Sequence, residues 1–163
     1  MVTTGEADFF ASSERNADFF WIYYGWDGRA AEMRGIELNY ISLIEVEPIL
    51  DYYTPILATS EALINEDPEL VERFMKATTK GYEFAMNSPE EAANILLDNA
   101  PELDSELVTA SQKWLADQYQ ADAETWGLQK QEFWQNYAGW LYEQGLVDDM
   151  LDVEQAYTND FIN

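Results

Sequence analysis

ADFFWIYYGWDGRAAEMRGIELNYISL, residues 17–43, is the stretch on which the reading of this chain turns. Its first part, DFFWIYY (18–24), is a continuous run of bulky strand formers that Gly25 closes, and apolar side chains on both faces predict a strand covered from two sides. DGRAAEMRG follows as a short helix with Gly35 at its C′ position. IELNYISL (36–43) then alternates Ile36, Leu38 and Tyr40 against Glu37 and Asn39, which is strand periodicity. Strand, helix, strand in that order implies a parallel crossover, and with it an α/β fold.

Side chains alternate along a strand, so Phe20, Ile22 and Tyr24 face one way and Phe19, Trp21 and Tyr23 the other. Core between sheet and helices is the expected place for Phe19, Phe20, Trp21 and Ile22. The carboxyl end of the run differs, because open α/β sheets bind ligands beyond the carboxyl ends of their strands. Tyr23, Tyr24, Gly25, Trp26 and Asp27 are therefore candidate ligand-binding residues. Gly25 lets the backbone approach a ligand, and Tyr24 and Trp26 offer flat apolar faces with polar tips. Asp27 can accept a hydrogen bond from a ring nitrogen or an amine, or it can cap the helix that follows.

On the N-terminal side, GEADFFASSER (5–15) has the spacing of a short helix. Beyond residue 43 comes the polar connector IEVEPILDYY, then TPILATS (54–60) as a third short strand. Its entry, DYYTP, is a second candidate rim. Tyr52 and Tyr53 are expected on opposite sides, with Tyr53 and Thr54 as the binding candidates. From Ser60 the pattern is helical. Asp67 and Pro68 open one helix, and Ser88, Pro89, Glu90 and Glu91 form a capping box for the next, which Pro101 stops. A third helix is expected over about 105–118 and a fourth from about Thr125 to Gln144, ended by Gly145. A last short helix begins near Asp152. Three strands make a meagre sheet for that many helices, so the sequence reads as part of a larger α/β protein.

Composition narrows the chemistry. The 163 residues include 8 basic and 32 acidic ones, a net charge of −24, yet 47% are hydrophobic and 15% aromatic, which suits a folded chain. So acidic a surface repels phosphate backbones and anionic lipids, which disfavours both nucleic acid and the membrane surface, and no nucleic-acid partner is expected. No apolar run has the length of a transmembrane helix. The sequence contains neither Cys nor His, so thiolate and imidazole chemistry and the commonest metal ligands are missing. Adjacent carboxylates such as Asp148 with Asp149, or Glu90 with Glu91, point in different helical directions and make poor acid/base partners. Lys76, Lys80, Lys113 and Lys130 follow helical surfaces with no sign of burial. Neither a catalytic residue nor a cofactor is expected.

ADFFWIYYGWDGRAAEMRGIELNYISL, DYYTPILATSEALINEDPELVERFMKATTKGYEFAMNSPEEAANILL and WGLQKQEFWQNYAGWLYEQGLV together resemble the C-terminal half of ABC-importer solute-binding proteins of the NMT1/THI5-like group. YYTPILATSE and PELVERFMKATTKGYEFAMNSPEEAA are the most specific parts. That group includes binders of the thiamine pyrimidine precursor and is similar to nitrate, sulfonate and taurine binding proteins. The resemblance implies a partial type II periplasmic-binding-protein fold, few short strands followed by a mostly helical C-terminal portion. Residues 1–43 would end the second lobe, 44–53 would be the hinge connector, and 54–163 would be a strand and helices of the first lobe. It further implies capture of a small solute between two lobes and handover to an ABC permease. The protein would be extracytoplasmic, periplasmic or lipoprotein-anchored, with a leader outside these residues. Pyrimidine-precursor binders commonly carry Glu just before the GW pair; here Tyr24 stands there, and Asp27 is near enough to substitute.

Two other classes fit the residues less well. One is a thiamine-pyrimidine-synthase-like enzyme whose catalytic residues lie elsewhere. The other is a helical interaction module anchored by Trp114, Trp126, Trp134 and Trp140. Self-association through surfaces meant for an absent lobe is also expected.

Overall fold

The computed structural model describes residues 19–162 together with Phe10; the helix expected over 5–15 lies outside the described residues apart from that one position. In chain order the backbone forms a wide turn of π-helix at Tyr24–Gly28, then α1 (Arg29–Met33), α2 (Leu43–Val46), α3 (Glu61–Glu66), α4 (Pro68–Asn87), α5 (Pro89–Asn99), α6 (Ser105–Ala116) and α7 (Gln131–Glu143). Turns of 3-10 helix occupy Pro48–Leu50 and Val153–Gln155.

No strand forms among the described residues, which corrects the expected α/β sheet with its few short strands. Residues 19–23, 36–42 and 54–60 are extended or irregular instead. The reason is that strand propensity measures fit to a pleated, half-buried surface, and the backbone becomes a strand only when a neighbour completes its ladder. These runs find no such neighbour among the described residues. The expected core placement fails with the sheet: Phe19 is 89% exposed and Trp21 66%, while Phe20 and Ile22 are half-buried. The side-chain parity survives, because extended backbone alternates its side chains whether or not it is paired. Phe20, Ile22 and Tyr24 are the more covered set, Phe19, Trp21 and Tyr23 the more exposed one.

The helical part follows its punctuation. Asp67 caps α4, its Oδ1 accepting the Leu70 N–H at 3.0 Å, and Ser60 caps α3 through the Leu63 N–H at 3.2 Å. Asp104 does the same for α6, accepting from Glu106 and Leu107, each at 2.9 Å. Ser88 stands at the N-cap of α5, but its side chain makes no capping bond, so the expected box is absent. The helix expected from Thr125 starts later, at Gln131, because Gly127 takes φ +83 and Trp126 stays in the preceding loop, stacked on Tyr82 at 4.2 Å. Gly145, at φ +65, ends α7 as the sequence requires.

The described residues divide into two compact units. One holds those up to Leu38 with Ser88–Ala116; the other holds Asn39–Asn87 and those from Asp117 onward. In the first, α5 packs on α6, and α6 on α1 and the π-turn, around buried Ala30, Ala31, Ala93, Val108 and Ser111. Side chains this small let helices approach closely and leave little room for added atoms. The second unit buries Val71, Thr79, Ala138 and Val153. The four tryptophans that would anchor an interaction module are half-buried and spent on ring contacts: Trp114 with Tyr24, Trp126 with Tyr82, Trp134 with Tyr157 and Trp140 with Tyr137.

Candidate functional site

In the first unit the extended run ends at Tyr23, with φ −98 and ψ 107, and the backbone swings into the π-turn. The Trp26 and Asp27 N–H groups donate to the Tyr23 carbonyl at 2.9 and 2.8 Å, and the Arg29 N–H reaches the Tyr24 carbonyl five residues back. Asp27 closes the turn from its side chain, Oδ2 accepting the Tyr23 N–H at 3.0 Å. Its capping role therefore serves the residue before the turn rather than α1.

Two glycines permit this shape. A Cβ on Gly25 would lie 2.9 to 3.0 Å from the Trp114 ring and Leu115 Cδ2, and one on Gly28 would lie 2.6 to 3.0 Å from the Tyr24 ring. Both positions are buried: Gly25 lets the turn meet the Trp114 and Leu115 side chains of α6, and Gly28 leaves room for the Tyr24 ring. Tyr24 folds back into the gap: its ring tilts against Trp114 at 5.6 Å and its hydroxyl donates to Glu32 Oε1 at 2.5 Å. Arg29 pairs with the other oxygen of Glu32. The contiguous candidates are thereby sorted. Tyr24 is tucked under the turn, whereas Tyr23, 72% exposed, and Trp26, 39% exposed, project from it.

The same unit carries an open groove of about 650 Å³ lined by Arg29, Asn94, Ser105, Thr109, Lys113 and Trp114. Lys113 Nζ lies 2.5 Å from a Glu90 carboxylate oxygen. That hydrogen bond, and then the lysine charge, hold the Glu90 carboxyl below its ordinary pKa.

Tyr53 and Thr54 belong to the second unit. The Tyr53 hydroxyl accepts the Lys130 N–H at 2.8 Å, and its ring lies 5.4 Å from Phe133 and 6.5 Å from Trp134 on α7. Tyr52 stacks on Tyr137 at 4.3 Å, so both tyrosines reach α7 instead of parting to opposite sides as a strand would send them. Burial, and then the neighbouring Tyr52, push the Tyr137 hydroxyl pKa upward. Thr54 is exposed, and its bond to Pro55 is cis. Sequence reasoning passed over Arg29 and Glu32. Their i, i+3 spacing on a predicted helix was the available signal.

The family model described as NMT1/THI5 like matches residues 1–92. This chain is 26% identical over 129 residues to the formylaminopyrimidine-binding protein of Halalkalibacterium halodurans, an alignment covering 77% of this chain and 39% of that protein. It is 27% identical over 136 residues to the riboflavin-binding protein RibY of Chloroflexus aurantiacus, covering 79% of this chain and 38% of that one. The chain thus spans about two fifths of the length of these curated relatives. With more than half of its residues inside the family match, the chain belongs to the NMT1/THI5-like family.

Proposed function

We propose that this chain is part of an extracytoplasmic solute-binding protein of an ABC importer, and that Tyr23, Trp26 and Asp27, set around buried Gly25, form one rim of its solute site. The family implies a periplasmic-binding-protein-like fold, and both relatives are named as binding proteins, which supports capture over turnover. In this reading residues 1–43 end one lobe, 44–53 are the hinge connector and 54–163 return to the other lobe, with Tyr53 closing the connector and Thr54 opening that lobe as further candidate contacts. The solute passes to a membrane permease once bound.

The observation that carries the reading is the pair of outward rings, Tyr23 and Trp26, on either side of a buried glycine. Stacking on such rings favours a flat heterocycle by about 0.5–1.5 kcal/mol per pair beyond area burial. A nitrate or sulfonate would instead meet the Asp27 carboxylate, a charge of its own sign. We therefore place a pyrimidine-like or larger flat heterocycle ahead of the anions.

Calorimetry and thermal shift on the full chain with a formylaminopyrimidine, riboflavin, nitrate and taurine test this. A heterocycle at a hundred times its Kd should stabilise the protein by about 2.7 kcal/mol. Trp26→Ala and Tyr23→Ala should each weaken it roughly tenfold, as loss of one stacking ring predicts. Stabilisation by the anions alone, or heterocycle binding indifferent to both substitutions, would refute the reading.

A further inference from the structure

Glu32 stands apart from the residues assigned to solute contact, yet it holds both ends of the turn that presents them. Its Oε1 accepts the Tyr24 hydroxyl, and its Oε2 is paired with Arg29. Tyr24 opens the π-turn and Arg29 follows its last residue, so one carboxylate ties the beginning of Tyr24–Gly28 to its end. Bonds from a hydroxyl or a guanidinium to an ionised carboxylate are short and roughly twice as strong as neutral ones. Arg29 makes this pairing through Nη1, while its buried Nε has no hydrogen-bond partner among the described residues. The Tyr24 ring lies close to Gly28 and tilts against Trp114.

We infer that Glu32, acting through Tyr24 and Arg29, is a positioning residue for the aromatic rim: it fixes the wide turn so that Tyr23 and Trp26 remain outward around Gly25 for a flat solute. The inference rests on the solute-capture reading above. Turns of the i to i+5 type are rare and need outside support, and a contact residue is only as well placed as the groups behind it. Rings held in their binding orientation lose less freedom when solute arrives, which raises affinity without adding a contact.

The test is Glu32→Ala, Tyr24→Phe, their combination and Glu32→Gln in the full chain. Two quantities are read: amide hydrogen exchange of the free protein, and affinity for riboflavin and a formylaminopyrimidine by calorimetry. The Asp27 and Arg29 amides, which close the turn, should exchange roughly tenfold faster in both single variants, while Ala93 in α5 keeps its rate. Affinity should fall by roughly the same factor, the double variant should be no worse than Glu32→Ala, and Glu32→Gln, which keeps an oxygen for the Tyr24 hydroxyl, should recover part of both losses. Unchanged exchange at Asp27 and Arg29, or effects that simply add, overturns the inference. Loosening of Ala93 by the same factor reduces Glu32 to a general stabiliser and overturns it too. If the wild-type chain binds neither probe, the solute reading fails, and the exchange measurements still decide whether Glu32 holds the turn.

Discussion

Replacing Gly25 by alanine adds one methyl group at the point where the turn meets α6. The new Cβ would sit 2.9 and 3.0 Å from two atoms of the Trp114 ring and 3.0 Å from Leu115 Cδ2. Ordinary carbon contacts lie near 3.5–4.0 Å, so each of three contacts is short by roughly half an ångström or more. Leu115 can rotate away; the Trp114 ring has less freedom, because Tyr24 leans on it at 5.6 Å. Overpacking of this kind costs about 1–3 kcal/mol, and the reduced freedom of the unfolded chain returns about 0.4–1 kcal/mol. A net loss of about 1–2 kcal/mol is expected. The same chemical change at Gly81 should have the opposite sign. Gly81 lies in α4, no atom of the described residues stands within 4 Å of its added Cβ, and alanine is better than glycine in a helix interior by about 0.8–1.0 kcal/mol. Urea denaturation of both variants in the full chain, followed by circular dichroism, measures the difference from the midpoints at constant slope. Gly25→Ala as stable as the parent would show that Trp114 yields freely and that the turn is not pressed against it.

Three further outcomes are expected. Asp67→Ala should cost about 0.5–2 kcal/mol by freeing the Leu70 N–H, and Asp67→Ser should restore most of it in the same urea assay. Because Lys113 lowers the Glu90 pKa, the pair's contribution is present above the ordinary carboxylate range and fades as pH falls through the lowered value; Lys113→Met should raise the Glu90 titration midpoint followed by carboxyl NMR, and an unmoved midpoint would exclude the lysine as cause. The 163-residue chain by itself should associate through exposed Phe19, Trp21 and Tyr23, more strongly in high salt that screens its −24 charge, so a clean monomer by light scattering at high protein and salt would count against this.

The two candidate rims were legible to different degrees. Residues 23–27 could be picked out because a bulky run meeting Gly25 and then a polar turn is visible without coordinates, and the structure does gather them into one turn. Which of them the fold covers was not visible. Tyr23 and Tyr24 are neighbours of identical type, and only the packing of Tyr24 on Trp114, some ninety positions away, and its bond to Glu32 set one ring inward and leave the other out. Tyr53 likewise reads as a free phenol until Lys130 is found at its hydroxyl.

Local rules reach as far as the interactions they describe. The acidic balance, the absence of His and Cys, the cap at Asp67, the helix stop at Gly145 and the side-chain parity of 19–24 all depend on residues within a few positions of one another, and the sequence alone determined them. Whether an extended run becomes a strand, which aromatic ring is covered and where α7 begins depend on groups distant along the chain. Those were decided by tertiary structure, because a ladder bond or a ring contact has no existence until its second partner arrives.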